Sequence, residues 1–172
     1  MLLALVAFPE IAAADLAWIE TLRRDGDPQA ARIGAHMTFV FPSGRLGPDM
    51  LCDHVAAALA GVMPIALRLD RWRVHRQGAS YVFLEPTLGR DACVALHDRL
   101  HAGKLSAERR PDLPFEPHVT LGRSDDVEAA ERLLARVAER RPRVAARIDA
   151  LALVEVPPDG PVRALRGFAL AG

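Results

Sequence analysis

The chain has 172 residues, within the roughly 100–200 that one compact domain usually takes, and is read as a single domain over residues 1–172. Its 51% hydrophobic and 26% charged residues supply a core and exclude a mainly disordered chain. Lys+Arg and Asp+Glu number 22 each, so no broad electrostatic field is available to hold long nucleic acid, and any nucleic-acid partner is expected to be short.

In chain order, Leu2 to Phe8 is a short apolar run ended by Pro9 and is read as a buried strand. A helix follows, with Asp15 as its expected cap and Leu16, Ile19 and Leu22 at helical spacing, ahead of the turn-like Asp25 to Pro28. Ala35 to Phe41 is rich in β-formers and stops at Pro42. Gly47-Pro48-Asp49 opens a helix over Met50 to Leu59. Ile65 to Arg76 and Ser80 to Glu85 read as paired strands about Gln77-Gly78, and Asp91 to His101 as a helix stopped by Gly103. A proline-punctuated loop, Glu108 to Pro117, leads into a strand at His118 to Arg123. Ser124 or Asp125 is the expected cap of a strongly periodic helix from Val127 to Arg141, whose stripe is Val127, Ala130, Leu133, Leu134 and Val137. Val144 to Val156 and Val162 to Leu170 close the chain as an antiparallel pair about Pro157-Pro158-Asp159-Gly160. Hairpins alternating with single helices predict an α+β fold rather than a doubly wound parallel sheet.

Two cysteines, Cys52 and Cys93, make neither a disulfide framework nor a zinc spacing, and a reduced, cytoplasmic setting is expected. The opening apolar run is read as structure rather than as a signal peptide: no Lys or Arg precedes it, and Pro9 with Glu10 interrupts it. No stretch approaches the roughly 20 apolar residues of a spanning helix, so no membrane partner is expected.

The sharpest internal echo is GAHMTFVFP around His36 and EPHVTLGRS around His118, each placing His-x-Thr-hydrophobic on an expected strand. With four threonines and six histidines in the chain, two such pairs are roughly a one-in-a-hundred coincidence of composition. The +2 spacing puts His36 with Thr38, and His118 with Thr120, on one face of each strand. Met37, Phe39 and Phe41, like Val119 and Leu121, are expected on the opposite, core face. An imidazole takes or gives a proton near neutral pH, and a threonine hydroxyl donates to an anionic oxygen. Two of each, facing across a cleft, suit acid–base cleavage of a phosphodiester: one histidine deprotonates the attacking hydroxyl, the other protonates the leaving oxygen, and no metal or other cofactor is called for.

On these two motifs, 82 residues apart, the sequence resembles the 2H phosphoesterases, which include 2′-5′ RNA ligase and cyclic phosphodiesterase proteins. The resemblance runs over nearly the whole chain. It implies a bilobal α+β fold, with two antiparallel sheets flanked by helices, pseudo-twofold symmetry and a central cleft. It further implies His36 and His118 as acid and base, Thr38 and Thr120 as phosphate-binding groups, and metal-independent chemistry on 2′,3′-cyclic or 2′-5′-linked phosphates. The expected partner is a small nucleotide or short RNA end as substrate, without extended nucleic-acid binding; the sequence does not set the oligomeric state, and a monomer is favoured. One position departs from the pattern: RNA-processing members often carry arginine two residues after the first threonine, where this chain has Val40. The reading from another class is a binding protein whose cleft recognises a phosphorylated RNA end or cyclic nucleotide without turning it over.

Weaker candidates surround the motifs. Arg123 would offset phosphate charge, but strict alternation from His118 turns it to the far face unless Gly122 introduces a bulge. Tyr81 and Phe83 alternate on one strand and suit either base stacking or core packing, the latter being favoured. Phe115 is placed to cover a base or to anchor its loop. Trp72, flanked by arginines, is read as part of a solvent-facing strand. His97 and His101 stand four apart on a helix without the glutamate of a zinc motif, and metal binding is not expected. His54 and His75 have no motif around them and are expected to face solvent or to be hydrogen-bonded. Phosphate-cradling glycine motifs are absent, so no nucleotide-dependent ligase chemistry is supported.

Overall fold

The computed structural model describes residues 1–109 and 114–171. Among the described residues, nine strands form two antiparallel sheets. The four-stranded sheet runs β3 (Met37–Ser43), β1 (Leu2–Ala7), β8 (Ala150–Val156), β9 (Arg163–Ala169). The five-stranded sheet runs β2 (Glu10–Ile11), β7 (Val144–Ile148), β4 (Ile65–Gln77), β5 (Ala79–Leu88), β6 (Val119–Ser124). The α-helices α1 (Ala13–Gly26), α2 (Pro48–Leu59), α3 (Arg90–Leu100) and α4 (Val127–Arg140) flank them. This is the expected α+β, two-sheet architecture. No helix among the described residues is long and apolar enough to cross a membrane.

The two sheets repeat one pattern. β1-α1-β3-α2 in one half corresponds to β5-α3-β6-α4 in the other, and each first strand pairs antiparallel with the strand that carries a histidine motif. Both motif strands, β3 and β6, are therefore sheet edges. The helices are exchanged: α1 packs on β6, while α3 packs on β3. A glycine permits the closest of these approaches, since a Cβ on Gly122 would lie 2.3 Å from Leu133 Cδ2 and 3.0 Å from the Gly26 carbonyl at the end of α1.

Several expectations are corrected. Asp15 does not cap α1; Ala12 occupies that position without a side-chain bond, and Asp15 sits in the first turn paired with Arg140. The α4 cap is Asp126, whose carboxylate accepts the Glu128 N–H at 2.9 Å, while Ser124 Oγ accepts the Asp126 N–H. Val127, expected in the α4 stripe, is 41% exposed, whereas Ala130, Leu133 and Val137 are buried. The β3 strand runs through Pro42 to Ser43, as an edge allows because the outer N–H has no ladder partner. The run Val144–Val156 is two strands, broken at Asp149, where the chain passes from one sheet to the other. A single alternating pattern spans the break, since both strands bury one face. The hairpin about Gly78 (φ 70°) and the closing β8–β9 pair are as expected. Residues 110–113 of the proline-punctuated loop lie outside the described residues.

Candidate active site

Each motif strand carries a β-bulge at the same place. Thr38 opposes Val6 while Val40 opposes Leu5, so Phe39 is the extra residue; Thr120 opposes Phe83 while Gly122 opposes Val82, so Leu121 is the extra one. A bulge reverses the in–out phase beyond it. Phe39 and Val40 are both 1% exposed, and Leu121 and Gly122 are both buried. Phe41 is therefore not a core residue: it is 51% exposed and lines the cleft. The same reversal at Leu121 brings Arg123 opposite Tyr81, with its guanidinium 5.9 Å from the ring. Val40, the position that departs from the RNA-processing pattern, is a core residue.

The cleft, about 240 Å³, is lined by Thr38, Thr120 and His118 together with an aromatic wall of Phe41, Tyr81, Phe83 and Phe115. His75, Gln77, His97, His101, Glu108 and Glu116 complete its polar lining. His36 stands two residues before Thr38, tilted against Phe8 at 6.3 Å, and a charge there disfavours charge on His118. The larger hollow, about 570 Å³, lies beside β6 and α4 and contains neither motif histidine; Arg123 lines it with Arg24, Arg132 and Arg136.

The two motif histidines are held identically. His36 donates from Nδ1 to the Gly34 carbonyl at 2.8 Å, and His118 donates from Nδ1 to the Glu116 carbonyl at 2.6 Å. A carbonyl oxygen only accepts, so each neutral ring carries its proton on Nδ1 and keeps the Nε2 lone pair for chemistry. Burial holds the His118 imidazole down at about 4, against the opposing effect of its carbonyl bond and of the Glu116 charge. Burial also lowers His36, less strongly, with the Gly34 bond opposing.

Phe83 stacks on His118 at 3.6 Å and on His75 at 5.2 Å, with Tyr81 tilted beside it. Phe83 is thus a cleft residue as well as a buried one, and Tyr81 faces the cleft, correcting the preference for core packing. His75 is likewise in the cleft; alternation with Phe83's neighbours on β4 and β5 is the signal that would have placed it there. Phe115 lies parallel to His97 at 4.1 Å and packs on Phe39. His97 and His101 line the same corner without a third metal-binding group among the described residues. His54 is hydrogen-bonded, as expected, to the Leu100 carbonyl at 2.8 Å. Trp72 packs against the core while Arg71 beside it is exposed.

Comparison with known proteins decides the family, because residues 8–159 match the 2′-5′ RNA ligase superfamily. The chain belongs to that superfamily. Solved structures with the same fold include LigT of E. coli complexed with 3′-AMP, 17% identical with a TM-score of 0.65, covering 99% of this chain and 98% of that one. TT0787 of Thermus thermophilus is 21% identical with a TM-score of 0.64, covering 99% of this chain and 98% of that one. Usb1 of Kluyveromyces marxianus is 9% identical with a TM-score of 0.56, covering 95% and 98%. No curated protein matches the chain by sequence. Membership of this superfamily assigns the chain to the 2H phosphoesterases, with a phosphoesterase or RNA-processing role.

Proposed function

We propose that this 2H phosphoesterase opens 2′,3′-cyclic phosphates, or cleaves related 2′-5′ or cyclic phosphodiesters of RNA ends or nucleotides, by paired-histidine acid–base catalysis without a metal. The observation that carries this reading is the matched pair of Nδ1 hydrogen bonds, which leaves one Nε2 immediately before each motif strand for proton transfer. LigT has been crystallised with 3′-AMP, ATP and NADP+, which supports a small nucleotide or an RNA end as substrate here.

In this mechanism a water molecule attacks phosphorus while a histidine takes its proton; the P–O3′ bond breaks, and the other histidine protonates the departing 3′ oxygen. The phosphate remains on the 2′ oxygen. Thr38 and Thr120 donate to the two non-bridging oxygens as charge builds on them. His118, neutral at working pH because burial disfavours its charge, enters as the base. His36, which burial lowers less than it lowers His118, takes the acid role, the phosphodiester anion between the motifs offsetting that burial in favour of its protonated form. In reverse, the same groups join a cyclic-phosphate end to a hydroxyl.

The test is hydrolysis of a 2′,3′-cyclic nucleotide panel in excess EDTA for the wild type and for His36→Ala and His118→Ala. Chelator-resistant turnover, reduced about 10²–10⁴-fold or more in each variant, is expected. Saturable binding of the panel without turnover would instead favour the binding protein.

A further inference from the structure

The two imidazoles are aimed by two carbonyls, and each carbonyl belongs to a peptide plane that must itself be held. At His36 that plane is Gly34–Ala35. Its carbonyl end accepts from His36, and its other end, the Ala35 N–H, donates to Glu20 Oε1 on α1. Glu20 in turn pairs with Arg23 at 3.2 Å, and Arg23, only 1% exposed, also binds Asp27 at 3.0 Å and the Ile33 carbonyl at 2.9 Å. A carboxylate gripping one end of a peptide fixes the direction of the other, and polarises it as an acceptor.

At His118 this solution is chemically closed. The corresponding plane is Glu116–Pro117, and proline has no N–H to offer. The Glu116 side chain is held instead: Arg73 on β4 pairs with its carboxylate and, at 2.8 Å, with Glu85 on β5. The same guanidinium donates to His75 Nδ1 at 3.3 Å and lies 5.6 Å from the Phe83 ring that stacks on His118.

We propose that Glu20 with Arg23, and Arg73 with Glu116, are independent positioning devices that set the tautomer and aim of His36 and His118 respectively. Their role in turnover rests on the acid–base reading above; their effect on the rings does not. The test is ¹⁵N NMR of histidine-labelled protein without substrate, reading the Nδ1 and Nε2 tautomer signatures, beside kcat and KM on 2′,3′-cyclic AMP. Glu20→Ala should convert His36 from the Nδ1–H form to a tautomer mixture and leave His118 unchanged. Arg73→Gln should do the converse, with Arg73→Lys restoring part of the His118 signature. Each loosening should lower kcat about 10- to 100-fold with KM within about twofold, as a small misplacement of a reacting group does. Should Arg73→Gln fail to fold, Glu116→Gln removes the same ion pair from a half-exposed side chain. Unchanged tautomers in the folded variants, or both rings changing together in either one, would overturn the proposal. Tautomer shifts as expected in a protein that turns over no cyclic phosphate would uphold the positioning and remove only the activity assigned above.

Discussion

Phe83 lies flat against His118, ring centroids 3.6 Å apart and planes 18° apart, so one face of the imidazole is closed to water by a rigid apolar disc. That contact accounts for part of the burial that keeps the ring neutral. Replacing Phe83 with leucine keeps an apolar filler but opens the ring's face. The His118 pKa should then rise from about 4 towards its ordinary 6.5, and the acid limb of kcat/KM should move to higher pH. An NMR titration of His118 together with a pH–rate profile measures this; coincident curves for variant and wild type would remove Phe83 from the account.

Stability should depend on the same burial. His118 and His97 are both held near 4 when folded, by burial first and, for His97, by His101 next. Between the ordinary histidine value and about 4 the unfolded chain binds more protons than the folded one, so stability rises with pH through that window. It is complete above about 6.5 and is lost as pH falls. Calorimetric Tm values between pH 7.5 and 4 should fall in the wild type and fall less in His97→Phe. Equal slopes would show that His97 is not linked.

The bulge after Thr38 makes two neighbouring phenylalanines behave differently. Phe39→Ala removes a side chain that is 1% exposed and should cost about 3–5 kcal/mol of stability. Phe41→Ala removes one that is 51% exposed and should change Tm little while raising KM several-fold. Thermal melts and steady-state kinetics of the pair decide it, and a reversed pattern would place the strand in the other phase.

Gly122→Ala is expected to destabilise by about 1–3 kcal/mol, as overpacking does, because the new Cβ meets both Leu133 and the Gly26 carbonyl. Measured against Leu133→Ala alone, Gly122→Ala should cost less than it does in the wild-type background, because the 2.3 Å contact with Leu133 Cδ2 is gone and only the milder 3.0 Å contact with the Gly26 carbonyl remains. An equal cost in both backgrounds would put the whole strain on the backbone contact.

The sequence made the motif pair legible because His36 and Thr38, like His118 and Thr120, are two apart on strands, a spacing that survives until the bulge. It did not make Phe41 legible, because a bulge is an extra residue in a ladder and leaves no mark in alternation. Gly122 was the one local hint, and its partner on β3 is Val40, which gives none. The α4 cap was misread where Ser124, Asp125 and Asp126 competed, although the helix starts at Val127 as expected. His75 is hydrogen-bonded, as expected, but its place in the cleft comes from Tyr81 and Phe83 on the next strand rather than from its own sequence. The carboxylate grips on the two histidine-bearing segments join α1 to residue 35 and β4 to residue 116, contacts that only the tertiary fold creates.

The exchange of α1 and α3 between the halves bears on how the cleft behaves as a gauge. Each motif strand is covered by a helix that enters from the opposite half, so the two sheets are laced together rather than joined by a flexible strap. Widening the gap between the histidines would mean pulling α1 off β6 and α3 off β3, which exposes core. The separation of the two imidazoles is thus tied to the packing of α1 on β6 and of α3 on β3, and is set as the chain folds.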